Sequence, residues 1–197
     1  MEDLSAIEAT RKTGSELFTL GGSPLPMNLL SFWQWSASNL VGNAMRGILA
    51  EYIVSSAIGV SNGIRDQWDA YDIATENGIR IEVKSCAYIQ SWEQKKHSSI
   101  KFGIRPTRGE DLDAKESSQL VARQADVYVF CLLMHRDQNT INPLNLDQWV
   151  FYVLPTRILN ETAGAQKSIS LSSLERLTPL KCKYSNLKKS IIDASLK

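Results

Sequence analysis

Asp72 sits in the run Tyr71-Asp72-Ile73, and a short way further on Ile81-Glu82-Val83-Lys84 carries an acid and a lysine two positions apart. Side chains two apart on a strand share a face, so Glu82 and Lys84 project together while Ile81 and Val83 turn into the core. Two carboxylates supply hard oxygen ligands for Mg²⁺. A divalent ion so held acidifies a water and offsets charge growing on a phosphorus centre. A lysine beside it can orient or deprotonate that water, or stabilise an anionic transition state. The acid-x-Lys spacing also occurs at Glu93/Lys95 and Asp113/Lys115, in polar stretches. The pair at Glu82 and Lys84 differs because it lies inside the apolar run IRIEVKSCAYI. Charge there is costly unless it is paired or functional. A strand-surface salt pair would satisfy the same pattern.

Other chemistries find little support. The sequence has no GxxxxGK[ST], HExxH, GxSxG or GxGxxG, and its two histidines, His97 and His135, are far apart. If the chain is an enzyme, carboxylates and lysine must do the work.

The elements that must position these groups follow from pattern. From about Ser38 to Ile58 the apolar positions approximate a 3.6 period; Ser38 suits an N-cap, and Gly59 stands where a C-terminal cap belongs. Strands are expected over 68–75 and 79–86, joined by Glu76-Asn77-Gly78. A two-residue Asn77-Gly78 turn would set Asp69 and Tyr71 on the Glu82 face. A three-residue loop with Gly78 left-handed would set Asp72 opposite Glu82. Both suit the sequence, and the second is favoured because it converges two carboxylates and an ammonium group, with Asp69 kept as the alternative ligand. A third strand is expected at 99–104, a short helix within 109–123, a doubly buried strand at 125–134, a fifth strand at 148–154 and a helical turn at 172–177. The order predicts a mixed α/β sheet of about five strands flanked by helices.

A helix with an embedded Glu, then hydrophobic-Asp-hydrophobic, a turn, and hydrophobic-Glu-hydrophobic-Lys resembles the PD-(D/E)xK phosphodiesterase superfamily. That is the restriction-endonuclease-like fold with its αβββαβ core. The matching segments run from Arg46-Gly47-Ile48-Leu49-Ala50-Glu51 through Asp72 to Glu82-Val83-Lys84-Ser85. Tyr71 stands where the eponymous pattern has proline. The resemblance implies a catalytic set of Asp72, Glu82, Lys84 and Glu51. Asp72, Glu82 and the Val83 carbonyl would hold Mg²⁺ or Mn²⁺, Lys84 would position or activate water, and Glu51 would be a further acid. Gln90 and Gln94, which would share a face if helical, are substrate-binding candidates by the same resemblance. It implies a metal-dependent nuclease hydrolysing DNA phosphodiester bonds; the alternative is a catalytically inactive nuclease-like domain that binds nucleic acid or a protein partner. Cleaving both strands would call for two sites and so a homodimer.

Composition bounds the rest. The 197 residues carry 22 basic and 21 acidic side chains, a net charge of +1, so no global field draws the chain to nucleic acid or membrane. Basic residues between Lys95 and Arg123, Arg123 included, and the Lys-rich end are the candidate phosphate contacts. The substrate expected is DNA, with RNA not separated from it. Trp33, Trp35, Trp68 and Trp92 could stack bases but read as well as interface anchors. Three scattered cysteines without a CxxC pair read as free thiols. With no apolar signal core and no membrane-length run, the expected location is cytoplasmic. Residues 1–37 are expected to form an N-terminal arm or helix packed on the core, and 38–197 a single nuclease-like domain.

Overall fold

A computed structural model describes residues 4–5, 7–65, 70–108 and 121–197. Asp69, Trp68 and nearly all of the helix expected over 109–123 fall outside the described residues.

The chain opens with a hairpin, β1 (Leu17–Leu20) and β2 (Ser23–Asn28), then helix α1 (Leu29–Ala37) and the longer α2 (Asn43–Ile58). Next come β3 (Ile73–Ala74), β4 (Arg80–Ala87), β5 (Lys101–Gly103), β6 (Thr107–Arg108) and β7 (Val121–Ala122). After these stand β8 (Val127–Leu133), β9 (Trp149–Pro155) and α3 (Thr156–Ala163). The chain ends with β10 (Ser168–Ser170), α4 (Leu171–Arg176), β11 (Leu180–Cys182) and α5 (Tyr184–Ser195).

The central sheet has five strands in the order β11-β9-β8-β4-β3. It is mixed, as expected: β4 and β8 are parallel and the other neighbours antiparallel. Its membership differs at one strand. The expected third strand, seen as β5, leaves this sheet and pairs with β10, while β11, unmarked in the sequence, takes an edge. Every residue of β8 and β9 is buried. One face of the sheet (Ile81, Val83, Val129, Phe151) packs on α2 and α5; the other (Tyr128, Phe130, Leu132, Tyr152) packs on Phe102, Leu159 and Leu174. Each fully buried aliphatic or aromatic side chain contributes ~1.5–3 kcal/mol, so the two layers make β8 and β9 the anchor of the fold.

Helix α2 starts five residues later than its periodicity suggests. Ser38 instead closes α1, and Gly42 is the N-cap of α2. The other end is as expected. Gly59 has φ 89°, and its N–H donates to the Ser55 and Ser56 carbonyls. The Lys-rich end is not a tail but α5, whose Leu187, Ile191 and Ala194 recur on one face and enter the core. The three cysteines are free thiols, Cys131 wholly buried. Among the described residues no helix is long and apolar enough to cross a membrane.

Candidate active site

The site is built on the β3–β4 hairpin. Thr75 N–H donates to Ile79 O and Gly78 N–H to Thr75 O, closing a three-residue loop in which Gly78 has φ 80°. That left-handed residue sets the register Ile73↔Ile81 and Ala74↔Arg80, the second of the two alternatives open in the sequence. Arg80 pins β4 to β8: its backbone N–H and its guanidinium both donate to Asp126, at 2.9 and 2.7 Å.

The ladder does not continue past Ile73. Asp72 N–H donates to Ile81 O, and the Asp72 Oδ2 accepts from Val83 N–H at 2.7 Å. The side chain thus takes the place a strand carbonyl would hold and lies along the edge of β4. Burial pushes its carboxyl up to about 6, and the charges of Glu82 and Glu51 add to the rise; Lys84 and the Val83 N–H oppose it. The other three groups expected at the site, Glu82, Lys84 and Glu51, therefore all act electrostatically on Asp72.

On β4 the alternation is as expected, with Ile81 and Val83 buried in the core. Glu82 and Lys84 share the other face and form an ion pair, largely covered. Tyr128, opposite Glu82 on β8, is buried, and its hydroxyl is held well above the usual phenol range, first by burial and then by the Glu82 charge.

Glu51 follows Ala50 on the buried stripe of α2, which comprises Arg46, Ala50, Ile53 and Val54. Its side chain is only 14% exposed and is gripped by Arg65 through two donors on one guanidinium edge, Nε to Oε2 and Nη2 to Oε1, the latter at 3.1 Å. Glu51, Arg65 and Asp72 line one cleft of about 310 Å³, walled on its apolar side by Ile48, Tyr52 and Ile64. Arg65 had no assigned role in the sequence, and its partnership with Glu51 is a tertiary contact that spacing does not encode.

Gln90 and Gln94 do not share a helix face, because 88–100, between β4 and β5, is loop. Gln94 Oε1 accepts from Gln90 N–H at 2.7 Å, and its Nε2 donates to Tyr88 O and Ser98 Oγ. Gln90 Nε2 donates to Ala87 O, and Gln90 Oε1 accepts from Arg46. Both amides organise the loop beyond Lys84, and reaching a substrate would break these bonds. Arg46, 3% exposed, also donates to Ser85 Oγ, Val41 O and Asn43 Oδ1, and forms no ion pair among the described residues. It was visible as an arginine on an apolar helix face, the one signal that could have marked it. Arg123, a candidate phosphate contact, is buried: it ties Ile104 O, Asn160 Oδ1 and Gly164 O together.

As to a metal, no three of His, Cys, Asp and Glu converge as a ligand group among the described residues. Mg²⁺ commonly takes only one or two carboxylates and keeps its waters. Asp72 and Glu82 fit that donor set, because a half-buried carboxylate flanked by two further acids is short of positive charge.

The family model of bacteriophage T4 endonuclease IV matches residues 27–173, about three quarters of the chain, a span that includes Glu51, Asp72, Glu82, Lys84, Gln90 and Gln94. No curated protein matches the sequence.

Proposed function

The chain belongs to the bacteriophage T4 endonuclease IV family, and from that premise we infer that it is a metal-dependent endonuclease hydrolysing DNA phosphodiester bonds at a PD-(D/E)xK site. The observation that carries this reading is Asp72, bound to the Val83 N–H at the edge of β4, the strand whose Glu82 and Lys84 form an ion pair, with Glu51 lining the same cleft as Asp72. Asp72 and Glu82, with the Val83 carbonyl, would hold Mg²⁺ or Mn²⁺. When bound, such an ion acidifies a water and neutralises charge developing on the phosphorus centre. Asp72 is kept at the strand edge by its bond to Val83 N–H, so the protein spends no reorganisation in presenting it. Lys84 is held on the same face by Glu82, from where its ammonium can orient the attacking water. Glu51 stays anchored by Arg65 and contributes negative charge to the cleft without leaving its helix. Ile48, Tyr52 and Ile64 offer an apolar wall against which a base can lie.

A second reading, a silent domain that only binds nucleic acid or a protein, is favoured by one fact: Glu82 and Glu51 each already have a cationic partner. Cleavage of plasmid and single-stranded DNA in Mg²⁺ separates the two. The nuclease reading expects cleavage by the wild type and a loss of ~10²-fold or more in Lys84→Ala. Cleavage that survives the substitution refutes the assignment, and DNA bound but never cut by wild type selects the silent domain.

A further inference from the structure

We propose that the hairpin and helix formed by residues 14–37 are an arm that packs against a second copy of this chain. Between Glu16 and Arg46 the sequence holds no Asp, Glu, Lys or Arg, although such residues make up 22% of the chain. The stretch is rich in large apolar side chains, yet neither core cluster takes a residue from it. All of β1 is exposed, and α1 buries none of its residues. Eight of the nineteen large hydrophobic residues exposed among the described residues lie between Leu17 and Trp35. They include Phe18, Leu20, Met27, Phe32 and, at 84%, Trp35.

The unit is nevertheless built. Leu29 and Leu30 N–H groups donate to Glu16 O and Gly14 O, and the Glu16 carboxylate accepts from the Thr13 and Gly14 N–H groups. Gly14, at φ 95°, lies so close to Trp33 and Leu30 that a Cβ there would stand 3.1 Å from the indole. These contacts fix the unit's shape and turn Phe32 and Trp35 outward as a neighbouring pair, ring centroids 6.5 Å apart. A two-stranded hairpin is marginal on its own in water. So much exposed apolar surface on a shaped unit is the mark of an interface.

Charge decides between occupants. Nucleic acid is gripped through phosphates by Lys and Arg, and none stands between Lys12 and Arg46. An uncharged surface can face its own copy across a two-fold axis with no like-charge clash. The area suffices. At ~150–250 Å² for each full large side chain, the eight expose on the order of 800 Å², about what each partner contributes to a standard interface.

Sedimentation velocity of the full chain over a concentration series tests this, with far-UV circular dichroism as the check on folding. Wild type is expected to be a dimer. Phe32→Glu/Trp35→Glu is expected to be a folded monomer, since both side chains are exposed. Trp35→Ala, a truncation at the most exposed position, is expected to weaken association at least tenfold and covers the case of a misfolded double variant. A wild type that is monomeric at its highest soluble concentration overturns the proposal, as does a dimer unmoved by Trp35→Ala. A monomer whose retention on single-stranded DNA falls with Trp35→Ala overturns it in favour of a nucleic-acid surface. None of these readouts depends on cleavage, so failure here leaves the nuclease reading where it was.

Discussion

Replacing Asp72 by asparagine removes a charge that the fold resists. The carboxyl titrates at about 6 in the folded chain against an ordinary 3.8, so the native state keeps its proton where the unfolded chain has lost it. Stability is therefore unaffected below about pH 4, falls as pH rises towards 6, and stays lowered above that. Two units at 1.36 kcal/mol each make the penalty about 3 kcal/mol at neutral pH. The amide introduced by Asp72→Asn would keep an oxygen acceptor for the Val83 N–H and carry no charge. In EDTA at pH 7.5, Asp72→Asn should melt above wild type by about 6–12 °C, at ~2–4 °C per kcal/mol for a chain of this size. At pH 4 the two melting curves should nearly coincide. Adding Mg²⁺ should raise wild type and leave the variant unmoved, because the ion supplies the positive charge that the Asp72 carboxylate lacks and the amide does not need. The assay is thermal melting followed by circular dichroism across that pH range. Equal pH dependence in the two proteins, or an Asp72→Asn protein less stable than wild type at pH 7.5, would refute the electrostatic account of the site.

Two further substitutions test how the site is held. Gly78→Ala forces a side chain into φ 80° and should cost ~1–2 kcal/mol in urea unfolding, while Asn77→Ala beside it should cost less; equal effects would remove the argument from left-handed geometry. Arg46→Ala strips Ser85, Asn43 and the buried Gln90 of their donor and should cost about 3 kcal/mol by the same measurement; a loss below ~1 kcal/mol would mean the guanidinium is dispensable there.

What the sequence disclosed tracks the range of the forces involved. The β4 strand was legible because Ile81 and Val83 alternate with Glu82 and Lys84, and β8 and β9 because their apolar runs have no other reading. The hairpin register was legible down to a choice of two, which the backbone of Gly78 decided. The break at Asp72 was not, since it depends on where the ladder stops, a property of both strands together. Nor was the grip of Arg65 on Glu51, or the departure of β5 to pair with β10, for each joins segments that only the folded chain brings near. Helix α5 was readable and missed: its lysines drew attention away from Leu187, Ile191 and Ala194 on one face. The hairpin and α1 gave no amphipathic signal because the stretch has no charged face to contrast with.

The most direct test of the metal site is a crystal of the protein grown with Mn²⁺ and measured at the manganese edge. The account predicts an anomalous peak between the Asp72 and Glu82 carboxylates, with Lys84 drawn off Glu82. Manganese absent from that position, with the Glu82–Lys84 pair intact at saturating metal, would contradict it.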